Sequence, residues 1–301
     1  MNANENLETG TFADRAHAGR RPARGRRPRG RFLAATAAAA ITAGAIMGPV
    51  LASASAASAA TGPGWLVGAG TLAGVTAQDP ATASQLLNTP ATYGAGSSLT
   101  GDPIQPGLAA TPVLSYTSYA QFSSDIQNGR ISFPYGWVMY DPEEWGQTPL
   151  NEQQDPIKYM TLFGQLAHAN GLKVIMAPAM DLGWVPGSVI PRLPGELITS
   201  WYVRVGIAGA AAAAGDIVNI QAESQTTNLP RYDSLVNNAA AQARAANPGV
   251  RVFAEVSTVN GTPQQMATAA QSVSTDGYYV AAPNAIPQAV QFFQLMNAAG
   301  Y

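Results

Sequence analysis

The sequence contains no cysteine and only two histidines, His17 and His168. Without cysteine, the chain has no thiol nucleophile, no disulfide and no cysteine-bound zinc or iron–sulfur cluster. The pattern around His168 predicts a surface position near the C-terminus of a helix. Ser-His-Asp catalysis and histidine-based metal sites need a histidine at the site, so neither is expected. We predict no metal and no cofactor, with a carboxylate-bound Ca²⁺ or Mg²⁺ as the open alternative.

Basic side chains are scarce beyond the N-terminal region. Eight arginines lie between Arg15 and Arg31, and only eight Lys and Arg follow, against fifteen Asp and Glu from Asp79 onward. The chain after residue 59 therefore has a net charge of −7. An acidic, charge-poor surface argues against nucleic acid or anionic lipid as a partner and suits a neutral ligand.

The N-terminal region is typical of a secretory signal peptide. An arginine cluster precedes an apolar run that ends near Leu51, and Ala57-Ser58-Ala59 fits a cleavage site. Arg26-Arg27 followed by Phe32-Leu33 resembles a twin-arginine export signal, and the general secretory route is the alternative. We predict that residues 1–59 are a signal peptide and that the remainder is extracellular, monomeric and free of the membrane.

Residues 60–111 are rich in Gly, Pro, Ser, Thr and Ala. This composition predicts an N-terminal arm or long loop, with one weak strand at Trp65-Leu66-Val67. Residues 112–301 are predicted to form one α/β domain. Its helices include a single long one over 197–214, closed by Gly215.

Seven apolar runs predict strands, and helical patterns separate nearly all of them. The strands are expected at 65–67, 113–116, 138–141, 172–177, 216–222, 250–256 and 278–280. Alternating strands and helices indicate a parallel α/β fold. The length favours a TIM-type (β/α) barrel, regular or incomplete, and a doubly wound open parallel sheet is the alternative.

Four consecutive strands are each followed by, or end in, a carboxylate. These acids are Asp141 with Glu143, then Asp181, Glu223 and Glu255. In parallel α/β folds the carboxyl ends of the strands form the ligand site. We therefore expect these acids to lie on one rim.

Alternation along the strands sharpens this expectation, because successive side chains point to opposite faces. Val218, Ile220 and Ala222 are expected to pack on helices, whereas Asn219, Gln221 and Glu223 face the barrel interior. Glu255 lies on the inward face of the next strand. Burying a row of polar side chains is costly unless they form hydrogen bonds, so packing alone does not explain these polar residues.

Glu223 and Glu255 are expected to lie on neighbouring strands, within the ~5–9 Å that glycoside hydrolysis requires of two carboxyl groups. One carboxyl would donate a proton to the leaving group while the other stays ionised. The structural alternative is that each glutamate caps a helix or pairs with an arginine such as Arg251. Gln221, Asn219 and Asp181 are the expected polar contacts to substrate. Tyr140, Trp145 and Trp184 are the expected aromatic contacts, and tryptophans at a site mouth stack on sugar rings.

The segment Tyr140-Asp141-Pro142-Glu143-Glu144-Trp145 resembles the end of the Asp-x-x-Asp-x-Asp-x-Glu signature of chitinase-type glycosidases. The two earlier Asp positions are Gly136 and Met139 here. The resemblance implies that Glu143 is the acid and Asp141 its orienting partner. The stretch from Tyr140 to Pro178 is also similar to secreted bacterial proteins with a glycosidase-like barrel, which implies the fold.

We therefore expect a secreted, glycoside-hydrolase-like barrel that acts on a carbohydrate through Glu223, Glu255, Asp141 and Glu143. The alternative is a non-catalytic barrel that binds carbohydrate or another cell-wall ligand.

Overall fold

A computed structural model of the chain describes residues 62–97, 99, 107–131 and 135–301. The expected signal peptide, 1–59, lies outside the described residues. Within them, eight strands form a closed barrel in which every neighbouring pair is parallel. The strands are β1 (Gly64–Gly68), β2 (Thr92–Gly96), β3 (Thr111–Tyr116), β4 (Trp137–Tyr140), β5 (Lys173–Met176), β6 (Ile217–Ile220), β7 (Arg251–Ser257) and β8 (Gly277–Ala281).

Helices follow most of the strands and form the outer layer. They are α1 (Ala69–Gln78), α2 (Pro80–Thr82), α3 (Tyr119–Gln127), α4 (Leu150–Gln154), α5 (Pro156–Ala169), α6 (Ile198–Arg204), α7 (Ile207–Ala214), α8 (Leu229–Ala246), α9 (Pro263–Ser272) and α10 (Ile286–Ala298). A π-helical turn spans Ala83–Leu87, and 3₁₀ helices span Met180–Trp184 and Glu223–Gln225. In the described part of the chain, no helix is both long and apolar enough to cross a bilayer.

The TIM-type barrel expected from the alternation of strands and helices is confirmed, and the closed sheet excludes the doubly wound alternative. The expected N-terminal arm is wrong for residues 64–96, because β1 and β2 belong to the barrel. β1 closes the barrel by pairing with both β2 and β8. The barrel therefore begins near residue 64, and 112 is not its boundary.

Gly64 in this segment and Gly277 in β8 lie where two strands pack closely. A Cβ on Gly64 would collide with the side chains of Arg251 and Phe253, and a Cβ on Gly277 would meet Gly64 O and Phe253. The large ring of Phe253 fills the barrel interior at this level, so the neighbouring strands need residues without side chains.

The helix expected over 197–214 is two helices. Gly206 adopts φ 71° between α6 and α7, a left-handed conformation that interrupts the helix and that glycine tolerates best. Beyond the break, α7 packs closely on α5, where the Ala214 carbonyl approaches Gly164. The Ala-rich sequence of α7 permits this approach.

Two apolar layers hold the barrel together. The inner layer fills the lumen and includes Leu66, Val113, Met139, Ile175 and Phe253. The outer layer lies between strands and helices and contains most of the buried apolar residues. Burial of apolar surface in both layers is the main stabilising contribution to the fold.

Glu152 shows how one buried carboxylate serves the fold. It accepts hydrogen bonds from the backbone N–H groups of Tyr119 at 2.7 Å and Ala120 at 3.0 Å, at the N-terminus of α3. Ser118 Oγ and the Tyr140 hydroxyl donate to it at 3.2 and 2.8 Å. Four donors thus satisfy this carboxylate, which lies in α4.

Candidate active site at the carboxyl rim

Five acidic side chains stand at the carboxyl ends of four consecutive strands. Asp141 and Glu143 follow β4, Asp181 lies in the 3₁₀ helix after β5, Glu223 begins the 3₁₀ helix after β6, and Glu255 lies within β7. We call these five residues the rim carboxyls. Because β4 to β7 are neighbours in one parallel sheet, their carboxyl ends bring these acids to one rim.

The alternation expected on β6 and β7 is present. Val218, Ile220 and Ala222 belong to the outer apolar layer, as do Val252 and Ala254. Ile217 and Phe253, on the opposite parity, belong to the inner layer. Asn219, Gln221 and Glu255 share this inward parity and are buried. A polar row therefore continues the apolar lumen toward the rim.

Gln221 connects two strand ends across β5. Its side-chain amide donates to Asp141 Oδ1 at 2.6 Å and to the carbonyl oxygen of Ala177 at 2.8 Å. Both N–H groups of the amide are thus engaged. Gln221 fixes the position of Asp141.

Asn219 and Tyr232 hold Glu255. The Asn219 amide donates to Glu255 Oε2 at 2.8 Å, and the Tyr232 hydroxyl donates to the Glu255 backbone carbonyl at 3.2 Å. Glu255 is only 6 % exposed. Glu143 and Glu223 are partly exposed, so they are more accessible than Glu255.

The rim carboxyls resist ionisation to different extents. Burial raises the pKa of Asp141 to about 7, although the hydrogen bond from Gln221 opposes the shift. Burial, with Asp141 next in importance, raises the pKa of Glu143 to about 9. Burial raises the pKa of Glu223 to about 7. Glu255 and Asp181 also have raised pKa values, with burial as the first cause.

These groups repel one another when ionised, so they titrate as a coupled set. Near neutral pH the rim holds protonated and ionised carboxyls together. That combination supplies a proton donor and a proton acceptor at one place, as general acid–base chemistry needs.

Tyr279 is a rim residue that the sequence analysis did not identify. It lies on β8 in register with Glu255, and it packs against the inner layer. Burial, followed by the charges of Glu255 and Asp141, raises its pKa well above the usual value. The phenol therefore stays neutral and remains a hydrogen-bond donor facing the acids. The alternation in Tyr278-Tyr279-Val280 could have revealed it, since Tyr278 and Val280 pack outward.

Two exposed tryptophans lie in the loops that follow β4 and β5. Trp145 follows β4 and is 37 % exposed, and its indole N–H donates to Thr148 Oγ1 at 3.0 Å. Trp184 ends the 3₁₀ helix after β5 and is 55 % exposed. The Arg192 guanidinium stacks on its ring, with 3.4 Å between the guanidinium carbon and the ring centroid.

Tyr140 does not join the site, which corrects the expectation that it contacts substrate. Its side chain is fully buried in the outer layer, stacked on Phe163 with 4.7 Å between ring centroids. Its hydroxyl donates to Glu152. As the last residue of β4 with outward parity, it has no surface left for a ligand.

The cations named in the sequence analysis lie away from the rim. Arg251, at the start of β7, donates to the Tyr93 hydroxyl at 3.0 Å in the lumen, so it does not pair with Glu255. His168 lies near the end of α5, is exposed, and contacts Asp216 at 3.0 Å just before β6. Among the described residues, no group of three or more His, Asp or Glu is arranged to hold a metal ion.

No protein-family model and no curated protein matches this chain. A chain of the crystal structure of the Amycolatopsis orientalis BexX/CysO complex is similar in structure, with a TM-score of 0.47 and 12 % sequence identity. The match covers 79 % of this chain and 89 % of that chain. At this level of similarity no activity can be transferred.

Proposed function

We propose that this chain is a secreted glycoside-hydrolase-like protein that cleaves a glycosidic bond with its rim carboxyls. The observation that supports this most directly is the position of five carboxyls at the ends of four neighbouring strands, where burial raises the pKa of Glu143 to about 9 and that of Glu223 to about 7. Hydrolysis of a glycoside needs one protonated and one ionised carboxyl on either side of the bond. Two carboxyls with separated pKa values meet that requirement near neutral pH.

In this proposal Glu143 is the general acid. It donates its proton to the glycosidic oxygen as the bond to the anomeric carbon breaks. Glu223 is the ionised partner, which either attacks the anomeric carbon or removes a proton from the attacking water. Both side chains are partly exposed, so a substrate has access to them.

The other rim residues position these two. Gln221 holds Asp141 beside Glu143, and the charge of Asp141 helps keep Glu143 protonated. Asn219 holds Glu255, whose burial makes it a positioning residue in preference to a reacting one. The pairing of Glu223 with Glu255 expected from the sequence is thus replaced, in this proposal, by Glu223 with Glu143.

Substrate binding is assigned to the aromatic side chains around the rim. Sugar rings stack on the exposed parts of Trp145 and Trp184, and on Trp184 the face used is the one that Arg192 does not cover. Asp181 accepts a hydrogen bond from the backbone N–H of Glu144 at 3.0 Å, which joins the two loops that carry these tryptophans. The proposed partner is a carbohydrate or cell-wall polymer outside the cell, bound by a monomer with no role for nucleic acid or membrane.

The experiment is a screen of the purified chain on aryl glycosides and on soluble polysaccharides, with reducing ends as the readout. Turnover that is lost in Glu143→Gln and Glu223→Gln supports the proposal. If no substrate is cleaved but an oligosaccharide raises the melting temperature, the protein is a carbohydrate-binding barrel, and the hydrolase assignment is wrong.

A further inference from the structure

Tyr279 stands on the inward face of the barrel beside the acids. It is in register with Leu66 on β1 and with Glu255 on β7, and residues in register on neighbouring parallel strands point to the same face. Its ring packs against the inner apolar layer, to which Leu66 belongs. The side chain is nevertheless partly exposed, whereas Leu66 is fully buried and Glu255 nearly so. The ring therefore reaches the open end of the lumen.

The hydroxyl of Tyr279 lies among the rim carboxyls. Burial is the first cause of its raised pKa, and the charges of four rim carboxyls add to it, namely those of Glu255, Asp141, Glu143 and Glu223. These acids act on the phenol through charge, because none of them accepts a hydrogen bond from it. The phenol keeps its proton and remains a donor at every pH at which a pair of carboxyls would work.

Other tyrosines of the core use their hydroxyls within the protein. Three of them donate to protein oxygens: Tyr140 to Glu152 at 2.8 Å, Tyr232 to the Glu255 carbonyl at 3.2 Å and Tyr278 to the Ala270 carbonyl at 2.8 Å. In the part of the chain that the structure describes, the Tyr279 hydroxyl donates no hydrogen bond. The Tyr202 hydroxyl also lacks a partner, but Tyr202 is fully buried in the outer layer, where no ligand reaches it.

We propose that Tyr279 contacts the substrate and donates its phenol O–H to an oxygen of the bound sugar; this rests on the proposed function for the class of ligand. Sugar hydroxyls accept hydrogen bonds, so they match a donor that the protein leaves free. A donor that a ligand covers without pairing costs free energy, which selects a ligand with an acceptor at this point.

The place of Tyr279 in the ring complements that of the exposed tryptophans. β8 lies opposite β4 in the closed sheet of eight strands, and Trp145 follows β4. Tyr279 and Trp145 therefore approach a bound sugar from opposite sides of the mouth. Tyr279 would act by holding the sugar in place, and the reacting carboxyls remain those of Glu143 and Glu223.

The first test asks whether the hydroxyl is free in the protein without ligand. Tyr279→Phe removes only the hydroxyl, and Tyr278→Phe is the matched control, with the same deletion on the adjacent residue. Tyr278→Phe loses the hydrogen bond to Ala270, so its melting temperature should fall by about 2–4 °C. Tyr279→Phe should melt as the unaltered chain does. A fall as large as that of Tyr278→Phe would show that the hydroxyl is bonded inside the protein, and would overturn the inference.

The second test measures ligand binding by isothermal titration calorimetry on the full chain at pH 7. The probes are cellohexaose, xylohexaose and the hexamer of N-acetylglucosamine. Tyr279→Phe should weaken the binding of the preferred probe by about 3- to 10-fold, the effect of losing one neutral hydrogen bond. Tyr278→Phe should bind it as the unaltered chain does. Where the probe is cleaved, kcat/KM replaces the dissociation constant, with the same expected factor.

The inference and the proposed function can fail separately. Binding without cleavage that weakens only in Tyr279→Phe supports the inference and contradicts the hydrolase. Cleavage that Tyr279→Phe leaves unchanged supports the hydrolase and overturns the inference. Equal weakening in both variants, or no binding of any probe by the unaltered chain, also overturns it.

Discussion

The side-chain amide of Gln221 donates to Asp141 Oδ1 at 2.6 Å and so connects the ends of β6 and β4, which are separated in the sheet by β5. The second N–H bonds the Ala177 carbonyl directly after β5. One amide therefore fixes three strand ends at the place where the carboxyls meet. Because this bond favours the ionised form of Asp141 while burial opposes it, the charge at Asp141 depends on the geometry of Gln221.

Glu223→Gln should lower turnover of any glycoside by at least ~10²-fold, the lower end of what one positioned proton-transfer group supplies. The amide keeps the shape of the side chain but cannot ionise. Steady-state kinetics, with circular dichroism to confirm folding, measures the effect. His168→Ala is the control, because His168 is exposed and pairs with Asp216 before β6. An equal loss in Glu255→Gln together with full turnover in Glu143→Gln would make Glu223 and Glu255 the reacting pair.

The rate should depend on pH as a bell-shaped curve. If Glu223 must be ionised, kcat/KM rises as the pH passes about 7, its pKa. If Glu143 must be protonated, kcat/KM falls as the pH passes about 9. We expect kcat/KM to be maximal between these two pH values. A neutral substrate should be used, because kcat/KM then reports the pKa values of the free enzyme. A single inflection near pH 4.5 would show that neither raised pKa governs the reaction.

The free energy of unfolding should decrease as the pH rises from about 4.5 to about 9. Glu143 has an ordinary pKa of 4.5 in the unfolded chain and about 9 in the folded protein. Between these values the folded state holds a proton that the unfolded state has lost, so each rise in pH favours unfolding. Glu143→Gln removes this contribution, and its melting temperature should fall less between pH 5 and 9 than that of the unaltered chain.

The neighbouring Glu144→Gln is the matched control for this measurement, because the Glu144 side chain is exposed. The melting temperature of Glu144→Gln should depend on pH in the same way as that of the unaltered chain. If Glu143→Gln behaves in the same way as Glu144→Gln, the carboxyl of Glu143 is ionised in the folded protein, and its role as general acid fails.

Gly164→Ala should destabilise the fold by about 1–3 kcal/mol, the usual cost of overpacking a core. A Cβ at Gly164 would collide with the Ala214 carbonyl at the end of α7. Chemical denaturation measures the change. Gly146→Ala is the control, since a Cβ there meets no atom within 4 Å. A neutral effect at both glycines would mean that α5 and α7 can separate at no cost.

The order of strand and helix patterns, with the length of the chain, predicted the barrel, and hydrophobic alternation within β6 and β7 predicted the inward row. Val218 and Ile220 face the helices while Asn219 and Gln221 face the lumen, because the strand has a period of two residues. β2 escaped prediction because Thr92–Gly96 has mostly small residues and no apolar run, and its pairing with β1 depends on long-range contacts. Composition alone does not show whether a glycine is needed because strands pack closely or because a loop is flexible.

The site was predicted only in part. The order of the acids along the chain placed them after consecutive parallel strands, whereas their hydrogen bonds depend on side-chain reach. The burial of Glu255 against Asn219 and the approach of Tyr279 to the acids depend on tertiary packing. The spacing of residues along the sequence does not reveal them. Tyr140 shows the opposite case, in which a residue next to the site in sequence turns to the helix layer.

The described strand-end carboxyls all belong to one arc of the barrel, from β4 to β7. The described acids are thus confined to one part of the barrel mouth, and in the proposed function the substrate lies off the barrel axis, above that arc. Tyr279 on β8, which pairs with β7, extends this arc by one strand.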